Sequence, residues 1–129
     1  MDLELNGKVA VVTGASKGIG LAVTRTLAAE GSQVIAGALT IETLEQLDRV
    51  SGYAVDLVDP TGPARLVDRA LGQHGRIDVL VNNVGGLRPR LDGFLQFSCI
   101  EASKSASLMR AICSQFSTCF DVISPCWCN

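Results

Sequence analysis

The sequence predicts an α/β fold: a parallel sheet of about four strands in the order 3-2-1-4, with helices on both faces to make three layers. Two observations carry this. Short apolar, β-branched runs alternate with stretches of helical period along residues 8–82. The first of these runs breaks abruptly into glycine where a helical pattern opens, as GASKGIG over residues 14–20. Right-handed crossovers then fix the strand order, with the switch point beside the first strand.

The elements follow in turn. Residues 8–13, KVAVVT, form a short uninterrupted apolar strand of the kind buried on both faces. Residues 18–30 form a helix with Ile19, Ala22, Val23, Leu27 and Ala28 on its inner side, stopped by Gly31. Residues 33–37, QVIAG, make the second strand. Ile41, Leu44 and Leu47 at helical spacing predict a second helix over 41–50. GYAVD, residues 52–56, is the third strand, and DPTGP opens a third helix over 60–73 with Leu66, Val67, Ala70 and Leu71 inward. IDVLVN, residues 77–82, is the fourth strand.

The composition changes after residue 97. All thirteen glycines and none of the five cysteines lie up to Phe97, whereas 98–129 holds every cysteine and no glycine. This divides the chain into a domain over 1–97 and a divergent Cys/Ser-rich tail over 98–129. Leu108, Met109, Ile112, Cys113, Phe116 and Phe120 recur at three- and four-residue spacing and predict a helical tail over 101–120. Without further strands, the fourth strand is expected to leave an open apolar edge through which the chain self-associates.

A net charge of −2 argues against a nucleic-acid partner. No apolar run approaches the ~20 residues of a membrane span, and the polar start MDLELNGK lacks signal-peptide character. The expectation is a cytoplasmic protein. Cys126 and Cys128 are spaced too closely for zinc, and the one histidine, His74, lies far upstream, so no metal site is expected.

The glycine turn has a physical purpose. A buried strand that passes through a tight turn into a helix presents free backbone amides, on which a dinucleotide pyrophosphate can sit. Gly14 permits the turn, Gly18 lets the backbone approach phosphate, and Gly20 lets the helix pack close to the strand. The residues TGASKGIG resemble the cofactor motif of the short-chain dehydrogenases/reductases. Leu5-Asn6-Gly7-Lys8 is similar to that family's entry to its first strand. Asp56-Leu57 resembles its acidic site at the end of strand three, and Asn82-Asn83-Val84-Gly85 its Asn-Asn-Ala-Gly signature. The likeness spans residues 3–97.

That resemblance implies a Rossmann-like fold, incomplete relative to the full family, and hydride transfer between a nicotinamide cofactor and a carbonyl or alcohol. It implies cofactor contacts at Gly14, Ser16, Lys17, Gly18, Ile19, Gly20, Asp56, Leu57, Asn82, Val84 and Gly85. The end of strand two reads GALT, residues 37–40, without the acid that selects NAD. Lys17 stands where it could meet a 2′-phosphate. NADP is therefore expected, with NAD as the alternative.

The family's Tyr-x-x-x-Lys pair has no counterpart. The one tyrosine, Tyr53, is followed four residues on by Leu57. No catalytic residue is assigned, and a small-molecule substrate is expected only if a missing half is supplied. Three readings stay open: a cofactor-binding oxidoreductase, a nucleotide-binding or interaction module without turnover, and a truncated or frame-altered product without function. Arg88 and Arg90, in GGLRPRLDG, are read as part of a solvated loop.

Overall fold

Val9–Thr13 (β1) lies at the centre of the sheet, flanked on one side by Gln33–Ala38 (β2) and on the other by Val79–Val81 (β4). The structure is a computed structural model and describes residues 3–57, 59–83, 87–89, 97–99 and 119–120. Val50–Ala54 (β3) pairs with β2, and Cys119–Phe120 (β7) pairs with β4. The order is β3-β2-β1-β4-β7, parallel throughout. The 3-2-1-4 order read from the sequence is present, and the sheet is a Rossmann-like α/β sheet with one further strand. Leu87–Pro89 (β5) and Phe97–Cys99 (β6) form a separate antiparallel pair.

Alternation along the strands sorts the core into two layers. Ala10 and Val12 of β1, Val34, Ala36 and Ala38 of β2, and Val79 and Val81 of β4 pack with Leu27 of the helix Gly18–Ala29 (α1). Val11, Ile35 and Leu80 point the other way, onto Leu66, Val67 and Ala70 of the helix Gly62–His74 (α2). Each buried Val, Leu or Ile side chain contributes on the order of 1.5–3 kcal/mol. Gly75, at φ 71°, ends α2 by donating its amide to the Leu71 carbonyl at 2.7 Å.

Several expectations are corrected. No helix forms over 41–50. These residues cross from β2 to β3 as successive turns, with Arg49 in the left-handed region at φ 63°. Leu44 is fully buried, and Ile41 and Leu47 pack partly buried beside it, so the apolar spacing anchors the turns to the core.

Gly20, Thr24 and Leu27 are buried on α1 and Val23 and Ala28 pack partly buried against the core, while Ile19 is 58% exposed and Ala22 is exposed. A Cβ at Gly20 would overlap the Gly14 carbonyl, so this face of the helix lies tight against the β1 turn. In α2, Leu71 likewise turns outward.

The edge of β4 is not open at Leu80 and Val81, which pair with Cys119 and Phe120. Cys119 and Phe120 therefore stand in a strand and not in a tail helix; residues 101–118 of that expected helix lie outside the described residues. Finally, Arg88 belongs to a strand, paired with Ser98; Arg90 lies outside the described residues. The β5–β6 pairing and the fifth strand both draw on residues beyond the composition break at 98.

Candidate functional site at the glycine turn

The site is built at the C-terminal edge of the sheet, where β1 and β4 end side by side. After Thr13 the chain turns through Gly14 at φ 65° and enters α1 at Gly18, φ 61°. Both values favour glycine, since a Cβ there would crowd the backbone. The turn is tied across the sheet by the Ala15 amide, which donates to the Gly37 carbonyl at 3.2 Å.

Close approach of helix and strand fixes the geometry. A Cβ at Gly20 would overlap the Gly14 carbonyl and stand 2.5 Å from Asn83 Nδ2. The start of α1 is thus pressed against the β1 turn. A Cβ at Gly18 would meet nothing within 4 Å, so the space before the helix is open.

The turn is held from β4. Thr13 is buried, and its hydroxyl accepts the Asn83 amide at 2.9 Å while lying 3.4 Å from the Val81 carbonyl and 3.3 Å from Asn82 Oδ1. Asn83 Nδ2 donates to the Gly14 carbonyl at 3.2 Å. Asn82 and Asn83 therefore brace the last residue of β1 and the first glycine after it. Thr13 and Asn83 were missed as a bracing pair in the sequence. The available signal was a polar residue closing an otherwise apolar buried strand.

The mouth of the helix is bare. Lys17 occupies the N-cap position in extended conformation, with no side chain capping the helix and no acid in the first turn. The first helical bond runs from the Leu21 amide to the Lys17 carbonyl, 3.4 Å long. The amides of Gly18, Ile19 and Gly20 precede it and lie outside the helical ladder. They carry the positive end of the α1 dipole into open space. The residues present fit an anionic diphosphate, with Lys17 exposed beside it, Ser16 half-buried in the turn and Ile19 exposed at its rim.

Asp56 is exposed after β3, and its carbonyl abuts Gly62 at the start of α2 so closely that a Cβ there would overlap it. Leu57 is buried, with its side chain in the α2-side core. Val84 and Gly85 lie outside the described residues. Tyr53 is far from this edge in role: its hydroxyl donates to Gln73 Oε1 at 3.0 Å, and the Arg69 guanidinium stands 4.6 Å over its ring. A cavity of about 490 Å³ lies at the other end of α1, lined by Arg25, Ala28, Ala29, Leu47, Asp48 and Arg49. Among the described residues no group of three His, Cys, Asp or Glu could hold a metal ion, and no helix is long and apolar enough to cross a membrane.

A parallel sheet in this order, with a glycine turn and an uncapped helix at the end of its central strand, defines the Rossmann-like class of α/β proteins. Within that class, the chain belongs to the short chain dehydrogenase family, whose model matches residues 8–119. It is 39% identical over 97 residues to a 3-oxoacyl-[acyl-carrier-protein] reductase of Thermotoga maritima, covering 69% of this chain and 39% of that protein. Among solved structures, a 3-ketoacyl-(acyl-carrier-protein) reductase from Brucella melitensis complexed with NADH matches with a TM-score of 0.61 at 30% identity, over 71% of this chain and 40% of that one. A metagenomic short-chain oxidoreductase in complex with NADP matches with a TM-score of 0.59 at 41% identity, over 64% and 41%. The chain thus spans about two fifths of the length of these relatives. The family match runs past the composition break at 98, farther than the motifs alone.

Proposed function

We propose that this chain binds a nicotinamide dinucleotide, with the pyrophosphate on the amides of Gly18, Ile19 and Gly20. The observation that carries this reading is the uncapped start of α1, facing open space and braced by Asn83 on Gly14. The NADH and NADP complexes of its structural neighbours support it. Lys17, exposed at the N-cap, and the acid-free end of β2 at 37–40 favour NADP over NAD. When bound, such a cofactor supplies a hydride. This chain's part is to hold the dinucleotide: backbone amides for the diphosphate, Lys17 for a 2′-phosphate and Asp56 for the adenosine end.

Turnover is a separate matter. The sequence has one tyrosine, and Tyr53 already serves a packing cluster with Gln73 and Arg69. We assign cofactor binding to these residues; the dehydrogenase or reductase chemistry of the family is a separate activity, to be measured on its own. Titration with NADPH and with NADH, followed by nicotinamide fluorescence, tests the reading. Saturable binding with NADPH tighter is expected. Tighter NADH binding overturns the NADP preference, and no binding of either overturns the function.

A further inference from the structure

The first turn of α1 has several reasons to fray. It begins Gly-Ile-Gly, and glycine in a helix costs about 1 kcal/mol relative to alanine. It has no side-chain cap and no acid near the dipole's positive end. Its first ladder bond, Leu21 to Lys17, is 3.4 Å, longer than the usual ~2.9–3.0 Å. Yet this is the turn whose amides must stand in order for an anion.

One buried group ties it down. Thr24 is fully buried on the helix face that meets the sheet, and its hydroxyl donates to the Gly20 carbonyl at 2.8 Å. That carbonyl also receives the Thr24 amide in the ordinary helical pattern. A Cβ on Gly20 would overlap the Gly14 carbonyl and stand 2.5 Å from Asn83 Nδ2, so Gly20 lies tight against both. Thr24 thus grips, from inside the helix, the glycine that Asn83 and Gly14 meet from the strand side. Thr26 makes the same kind of bond, to the Ala22 carbonyl at 2.9 Å, but on the exposed face and beyond the turn.

We propose that Thr24 is a positioning residue for the dinucleotide cradle, holding the uncapped first turn of α1 in register through Gly20. The proposal rests on the reading that the turn receives a dinucleotide, but its effect on the turn is present without one. Thr24→Val keeps the shape and removes the hydroxyl; Thr24→Ser keeps the hydroxyl; Thr26→Val removes the equivalent exposed bond and serves as control.

Two measurements decide it. In the ligand-free full chain, amide hydrogen exchange at Leu21, Ala22 and Val23 is expected to quicken about fivefold in Thr24→Val, consistent with one lost hydrogen bond. It returns in Thr24→Ser and is unchanged in Thr26→Val, while exchange in β1 and β2 stays as in the parent. NADPH affinity is expected to fall roughly three- to fivefold in Thr24→Val on the same ground, with rescue by serine. Unchanged first-turn exchange in Thr24→Val overturns the proposal, as does an equal effect of Thr26→Val or a failure of serine to rescue. If the parent chain binds no dinucleotide, the functional reading fails, and the exchange measurement still decides the role of Thr24 in ordering the turn.

Discussion

The backbone amide of Asn83 donates to the hydroxyl of Thr13 at 2.9 Å, joining residues 70 apart in sequence. The contact sits where β1 and β4 end together, and both partners are withdrawn from full solvent. Thr13→Val would leave the Asn83 amide without this acceptor, and an unsatisfied donor of this kind costs about 1–3 kcal/mol. The expected result is a lower Tm together with weaker dinucleotide binding, because the brace on Gly14 loosens with it. Calorimetry and NADPH titration on the same variant check both halves.

Two glycines of one motif should fail in different ways. Gly20→Ala drives a Cβ into the Gly14 carbonyl, a backbone group that cannot swing aside. Overpacking of this sort costs about 1–3 kcal/mol, so denaturant unfolding should shift markedly. Gly18→Ala meets no atom within 4 Å but must hold φ 61°, at a cost of about 1–2 kcal/mol. Its methyl also fills the space before the helix. For Gly18→Ala the larger loss is expected in dinucleotide affinity, and for Gly20→Ala in fold stability.

Asp78 predicts a pH dependence at the opposite edge of the sheet. Partial burial raises its pKa, but the Val9 amide at 2.9 Å and the Arg76 guanidinium at 2.8 Å outweigh that and hold it below the usual 3.8. Because the folded value is depressed, the carboxylate's contribution is complete above pH 3.8 and is lost as pH falls through the folded pKa. Asp78→Asn should cost about 1–2 kcal/mol at neutral pH. The gap between variant and parent, read from urea unfolding at several pH values, should close in acid below the ordinary carboxylate range.

Removing residues 98–129 would unpair Leu80 and Val81 from β7 and leave the β4 edge bare. Exposed apolar edges recruit other chains. Sedimentation of the shortened protein is expected to show a larger apparent mass than the full chain at equal concentration.

Much of this was legible in the sequence because the strongest signals are local. A β-branched run buried on both faces can hardly be anything but a central strand, and KVAVVT followed by glycine announces β1, the turn and α1 together. What escaped is governed by tertiary contact. Ile41, Leu44 and Leu47 have helical spacing, yet three anchors suffice to pin a series of turns once Leu44 is buried. The face of α1 was read in part: Val23, Leu27 and Ala28 do meet the core, but Gly20 and Thr24, which hydrophobicity does not single out, are buried there too, and Ile19 and Ala22 are exposed. β7 is two residues long, and its Phe120 fits a helical period equally well. Its strand character comes from the β4 edge it meets.

The span between Thr13 and Asn83 bears on how the molecule comes into being. A ribosome adding about 5–20 residues per second needs roughly 4–14 s to pass from one to the other. Until β4 is made, β1 has only β2 as a neighbour to pair with. Affinity for the dinucleotide must therefore arrive late in synthesis, after the second neighbour of β1 has been made, and a nascent chain stalled before residue 79 would carry the whole TGASKGIG motif held from the β2 side by the Ala15–Gly37 bond but without the Asn83 brace on Gly14.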